Sequence, residues 1–221
     1  MRFRKFFLAL LLCAISACTR PLTEAETAFA EAVIGPGLET DRIKVADNFA
    51  LFPPRRQATY SYRPAKIGSE PCVRRPRPSG NRTPPAAVAF QNTLFMQGPL
   101  YSANMVEGWP DRLRVPHALV FAHELVHVWQ WQNRAETGYS PWRAAGEGLR
   151  AHDPYFFELS PDLKFEGFGY EQQAALLEDY LCFRVANPNH PRAAALREIL
   201  APVFPLDALD AALNGQDAGG E

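Results

Sequence analysis

The chain has 221 residues, 47% of them hydrophobic and 12% aromatic, which is enough for a sizeable core and too apolar for a disordered chain. A formal net charge of −1 excludes the global basic signature of a nucleic-acid binder. Twenty prolines, eleven of them between Pro53 and Pro116, predict a loop-rich middle.

At the N-terminus Arg2, Arg4 and Lys5 precede an apolar run, Phe6 to Ile15, that is too short to cross a bilayer. Ile15-Ser16-Ala17-Cys18 resembles the lipobox of bacterial lipoproteins. That resemblance implies cleavage of residues 1–17 and lipidation of Cys18; simple secretory cleavage that leaves Cys18 as a thiol is the alternative. Several acyl chains on Cys18 would anchor the protein stably to a membrane. The expected location is therefore the cell envelope. Thr19, in place of an aspartate after the cysteine, favours the periplasmic face of the outer membrane by resemblance to enterobacterial sorting rules. Cys72 and Cys182 then remain as an even pair in an oxidising compartment. Either they form a disulfide, or Cys182 is a small buried hydrophobe.

Residues 18–23 read as a tether, and residues 24–213 as a single domain. Thr23 is a candidate N-cap for a helix from Glu24 to Ile34, which Gly35-Pro36-Gly37 ends. Asp41 to Ala46 alternates polar and apolar residues and predicts a short strand. Tyr60, Tyr62 and Ile67 suggest another strand in an otherwise Pro/Arg-rich stretch. Between residues 53 and 90 eight basic residues, Arg74 and Arg75 among them, face one acid, Glu70. The stretch reads as a solvated loop, with anionic lipid headgroups as the alternative contact. It has no stacking platform for nucleic acid.

Ala86 to Met96 predicts one half-buried strand, built on Val88, Phe90, Leu94 and Phe95. Val115 to Asn133 predicts a core helix, apolar on nearly all sides. Thr137 to Pro161 reads as a loop, because Gly138, Pro141, Gly146, Gly148 and Pro154 interrupt it. A second long helix is expected from Gly169 to Arg184, then short helices at Arg192–Leu200 and Leu206–Leu213. Residues 214–221 should form a flexible tail.

The core helix carries His123-Glu124-Leu125-Val126-His127, an H-E-x-x-H pattern. Residues four apart share a helix face, since a turn takes about 3.6 residues. Two imidazoles so placed can grip one zinc ion, and Glu124 can act on a water as general base. Two histidines and a glutamate in an apolar helix also call for a partner, because an unpaired buried charge is costly. Catalytic zinc takes three protein ligands. Gln130 and Asn133 stand where the metzincin extension would place glycine and the third histidine, so the third ligand should lie farther on. Glu171, on the second long helix, is preferred. Glu147, His152 and Glu178 or Asp179 are rivals, and the flanking Gly146 and Gly148 count against Glu147 as a helical ligand. Glu178, seven residues after Glu171 and on nearly the same helix face, is expected to accept the N–H of a ligating histidine.

His123 to Gln130 (HELVHVWQ) and Glu171 to Tyr180 (EQQAALLEDY) resemble a poorly characterised bacterial group of zincin-like proteins. That group is related to a metallopeptidase-like domain found with contractile injection systems and type VI spike-associated proteins. Phe90 to Met96 and Asp41 to Val45 are more weakly similar to its other segments. The resemblance spans residues 25 to 185. It implies an α+β, gluzincin-like fold: a short mixed or antiparallel sheet, the H-E-x-x-H helix and a second ligand-bearing helix. It implies zinc held by His123, His127 and Glu171, with Glu124 as base. In zincin peptidases an edge strand before this helix pairs with the substrate, which here implies the Phe90–Met96 edge. The lipobox and the basic insert lie outside the pattern and point to the envelope instead of an injection system.

The expected function is a zinc-dependent peptidase of the cell envelope acting on a peptide or protein. Tyr155 and His152 are candidates to stabilise an oxyanion, Tyr139 a weaker one. A zinc amidase acting on peptidoglycan peptides, and a non-catalytic envelope binding module on a retained scaffold, are the alternatives.

Overall fold

The helix expected after Thr23 forms as α1 (Glu24–Val33), closed by a reciprocal cap. The Glu26 N–H donates to Thr23 Oγ1 at 3.2 Å, and the Thr23 N–H donates to Glu26 Oε2 at 2.8 Å. Glu26 is 0% exposed. Arg20, at 2.7 and 2.8 Å, and the Met105 N–H, at 2.8 Å, satisfy its remaining lone pairs. Removing one partner from such a buried pair costs about 3–5 kcal/mol. Arg20 belongs to strand β1 (Thr19–Pro21), so the expected tether is instead an element of the fold. The computed structural model describes residues 19–47, 72–76, 85–160 and 162–217. Residues 1–18, the strand expected at Tyr60, Tyr62 and Ile67, and most of the basic stretch lie outside them.

The fold is α+β, with a four-stranded mixed sheet of order β1-β2-β4-β3. β1 runs antiparallel to β2 (Lys44–Asp47), which runs parallel to β4 (Thr93–Met96). β3 (Ala87–Phe90) pairs antiparallel with β4. The single strand expected over residues 86–96 is therefore a hairpin. Gln91 takes φ 55°, a left-handed turn conformation, and the chain folds back at Asn92. Its two arms, AVAF and TLFM, are both apolar, and that continuity hid the turn.

The edge expected to receive a substrate is consequently β3, and β4 lies inside the sheet. The Gln97 N–H donates to the Ala86 carbonyl at 3.1 Å. Alternation along an antiparallel ladder then turns the backbone groups of Ala87 and Ala89 away from β4.

Helix α2 (His117–Gln132) packs against β3 and along α5 (Tyr170–Ala186), with the short α3 (Arg134–Thr137) and α4 (Pro141–Arg150) between them in sequence. Phe121, Leu125, Leu176, Leu177 and Leu181 are buried in the core around them. α6 (Pro191–Leu200) and α7 (Leu206–Asp217) complete the core, and α7 runs on past Asn214, where a flexible tail was expected. α4 also replaces part of an expected loop. Ser140 caps it by accepting from the Arg143 N–H, and Pro141 suits its first turn. The glycines that argued for a loop cost such a helix only about 1 kcal/mol each. A disulfide joins Cys72 to Cys182 across 110 residues. Closing a loop of that length contributes about 4–5 kcal/mol by the chain-entropy argument. Among the described residues no helix is long and apolar enough to cross a membrane.

Candidate metal centre

α2 places His123 and His127 one turn apart on its buried face, toward the N-terminal turn of α5. Glu171 projects from that turn. Its Oε2 lies 3.2 Å from His123 Nε2 and 3.2 Å from His127 Nε2. Ligands bonded tetrahedrally at about 2.0–2.1 Å to one ion stand about 3.3 Å apart, so the spacing fits a metal. Among the described residues these three form a cluster with metal-holding geometry.

Each imidazole is turned by a different support. His123 Nδ1 lies 3.1 Å from Glu178 Oε2, and a carboxylate only accepts, so Nδ1–H donates. His127 Nδ1 lies 2.8 Å from Gln130 Oε1. The Gln130 amide nitrogen donates to Gln173 Oε1 at 2.8 Å and to the Tyr170 carbonyl at 3.2 Å, which fixes its oxygen toward His127. Gln173 in turn donates to the Phe168 and Phe165 carbonyls. Both Nδ1 atoms thus carry protons, and both Nε2 lone pairs face Glu171. A lone pair facing a carboxylate demands a positive charge between them.

Without a metal, protons meet that demand. Burial opposes charge on His123, but hydrogen bonds to Glu171 and Glu178 outweigh it and raise its pKa to about 10. His127 is raised in the same way, mainly by the Glu171 charge against its own burial. Burial would raise Glu171, yet the two histidines hold it far below the usual carboxylate range. Burial works against Glu178 too, and the Arg74 charge with His123 lowers it to about 2. A divalent cation displaces the two shared protons and satisfies the same three donors.

Glu124 stands beside this triad at 5% exposure. Burial raises its pKa, against the two histidines, and the outward-facing Ala89 N–H of β3 donates to it. Its Oε2 is buried and has no hydrogen-bond partner among the described residues. An orphaned carboxylate oxygen next to three converging donors has the chemistry of a base awaiting a water.

The Tyr155 ring lies 5.7 Å from the His123 ring, and the Tyr139 ring 6.2 Å from that of His127. Burial and the charges of Glu171 and Glu124 push the Tyr139 hydroxyl pKa up, so both phenols flank the centre. His152 is exposed and does not join the metal cluster. Glu147 is helical despite its glycine neighbours, but its Oε2 caps α5 by accepting the Tyr170 N–H at 2.9 Å. Asp179 pairs with Arg74 at 2.8 Å. Gln130, Gln173 and Arg74 were not singled out from the sequence as parts of the centre. Gln130 had a usable signal, three residues beyond His127 on the same face of an apolar helix. Arg74 had none, since its partners are more than a hundred residues away.

No family model and no curated protein matches the sequence. Among solved structures the chain is similar to the effector domain of Pseudomonas aeruginosa VgrG2b, with a TM-score of 0.50, 21% identity and 83% of each chain covered. At that identity the likeness shows a shared fold.

Proposed function

We propose that the chain is a zinc-dependent peptidase of the bacterial cell envelope. The observation that carries the reading is the orphaned Glu124 Oε2 beside His123, His127 and Glu171. Those three residues would hold the ion, and two nitrogens with one carboxylate oxygen suit zinc. When bound, zinc supplies Lewis acidity, which acidifies water and polarises a carbonyl.

The chain's own groups do the rest. Glu124 takes a proton from the attacking water on Oε2 and delivers it to the leaving nitrogen. The Ala89 N–H holds the other carboxylate oxygen in place. The outward-facing backbone of β3, at Ala87 and the Ala89 carbonyl, aligns an extended peptide. The Tyr155 and Tyr139 hydroxyls, on either side of the histidines, donate to a developing oxyanion. Likeness to an effector domain is compatible with an enzymatic role. Lipidation at Cys18 would end one residue before β1, so the domain would sit directly on the membrane surface.

The test compares zinc content and peptide hydrolysis of the wild type with Glu124→Gln. The variant should keep stoichiometric zinc and lose about a hundredfold or more of the rate. Equal cleavage by both proteins, or no zinc in the wild type, sinks the reading. Release of muropeptides from purified peptidoglycan, without protein cleavage, would move the substrate to the cell wall. Acyl labelling that persists in Cys18→Ala would refute the anchor.

A further inference from the structure

The His123 support continues outward to a covalent bond. Arg74 Nη2 donates to Glu178 Oε2 at 2.8 Å, and that same oxygen accepts His123 Nδ1–H at 3.1 Å. Arg74 also donates to Asp179 Oδ1, at 2.8 Å from Nη2 and 3.1 Å from Nε. Two residues before Arg74, Cys72 is bonded to Cys182, with Cα atoms 5.6 Å apart. Cys182 lies four residues beyond Glu178 on α5, so the disulfide and the ion pairs share one side of that helix.

The described segment 72–76 forms no helix or strand of its own. Its described attachments are the disulfide, the Arg74 ion pairs and the packing of Val73 on the core. An arginine on such a segment loses side-chain and backbone freedom when it docks. The disulfide removes much of that cost in advance by confining Arg74 near its acceptors. Glu178 is itself partly exposed and its side chain has several rotatable bonds. One carboxylate oxygen shared by a guanidinium and an imidazole is fixed by both donors. With the guanidinium gone, solvent competes for Glu178, and His123 loses the acceptor that sets its tautomer and ring angle.

We propose that Arg74 is a positioning residue of the metal centre, delivered there by the Cys72–Cys182 bond, and that losing either lowers the centre's affinity for zinc. The inference rests on reading His123, His127 and Glu171 as zinc ligands. It adds that a segment remote in sequence, held by an oxidised cysteine pair, sets how well those ligands bind.

The experiment measures zinc affinity by competition with a chromophoric chelator, and the visible spectrum of the cobalt(II)-substituted protein. Near-UV circular dichroism confirms that each variant is folded. Arg74→Gln and the double variant Cys72→Ser, Cys182→Ser should each weaken zinc binding about 10- to 100-fold, the usual effect of losing an outer partner of a ligand. Adding Arg74→Gln to Glu178→Gln should cost nothing further, because both act through one oxygen. Arg74→Lys should recover part of the affinity. If the cysteine variant does not fold, Arg74→Gln with the disulfide intact carries the test. Wild-type affinity in either folded variant, or additive losses in the Arg74–Glu178 pair, overturns the proposal while leaving the metal centre standing. A wild type that binds no zinc overturns both.

Discussion

The two histidines of the centre are held by opposite kinds of chemistry. His127 rests on a neutral chain, Gln130 to Gln173 to the Phe168 carbonyl, buried throughout and made of amides. His123 rests on a charged chain, Glu178 to Arg74, partly exposed and tied to a disulfide. A neutral network in a low-dielectric interior keeps its geometry across pH and salt. A charged one depends on both ends staying ionised and in place. One imidazole is thus fixed by the packing of α2 on α5, and the other also by a segment remote in sequence.

The largest effect is expected at the ligands. His123→Ala and His127→Ala should each abolish stoichiometric zinc, read by metal analysis after gel filtration. Equal zinc retention in either variant would show that the ion sits elsewhere. The next effect separates the supports. Gln130→Ala leaves the Gln173 amide buried without its partner, so the protein should lose about 1–3 kcal/mol of stability along with zinc affinity. Glu178→Gln should cost affinity with a smaller stability loss, since Arg74 keeps Asp179. Denaturant unfolding beside zinc titration reads both, and identical stability losses would erase the distinction.

A smaller effect is expected from pH. His123 in the metal-free protein has its pKa raised from 6.5 to about 10. A folded pKa above the unfolded one stabilises the fold fully below pH 6.5, and that contribution is lost as pH rises through about 10. The thermal midpoint of the metal-free protein should therefore fall across that window. With zinc bound the fall should vanish, because the metal has displaced the proton. Glu178→Gln should flatten part of the decline, whereas Gln130, which does not titrate, should leave it in place when replaced. The smallest effect is a control. A Cβ at Gly146 or Gly148 meets nothing within 4 Å. Gly146→Ala or Gly148→Ala should stabilise the protein by about 0.5–1 kcal/mol. Neither should move zinc affinity, and a change there would show that α4 reaches the centre by another route.

Much of this centre was legible in the sequence, for local reasons. The i, i+4 spacing that marks His123 and His127 is a property of one helix. Glu171, at the start of the next long helix, was preferred as the third donor over Glu147, His152 and Glu178 or Asp179. The structure brings these residues together and places Glu124 and Glu178 beside them. Tyr155 flanks the centre as well, while His152 does not join the metal cluster. What the sequence hid depends on contacts between segments. Arg74 looked like one of eight basic loop residues, and only the docking of its segment on α5 gives it a role. The hairpin at Gln91 and Asn92 was masked because both arms are apolar, so no polar break marked the turn. α4 was masked because its glycines outvoted its cap. β1 was missed because three residues carry no periodicity, and its pairing with β2 is set across more than twenty residues.

His123, His127 and Glu171 are proposed to hold one metal ion. Anomalous diffraction at the zinc edge, from crystals grown with zinc, tests it most directly. A single peak is expected about 2.0–2.2 Å from both Nε2 atoms and a Glu171 oxygen. A peak held by other residues, or none with the three side chains still converged, would contradict it.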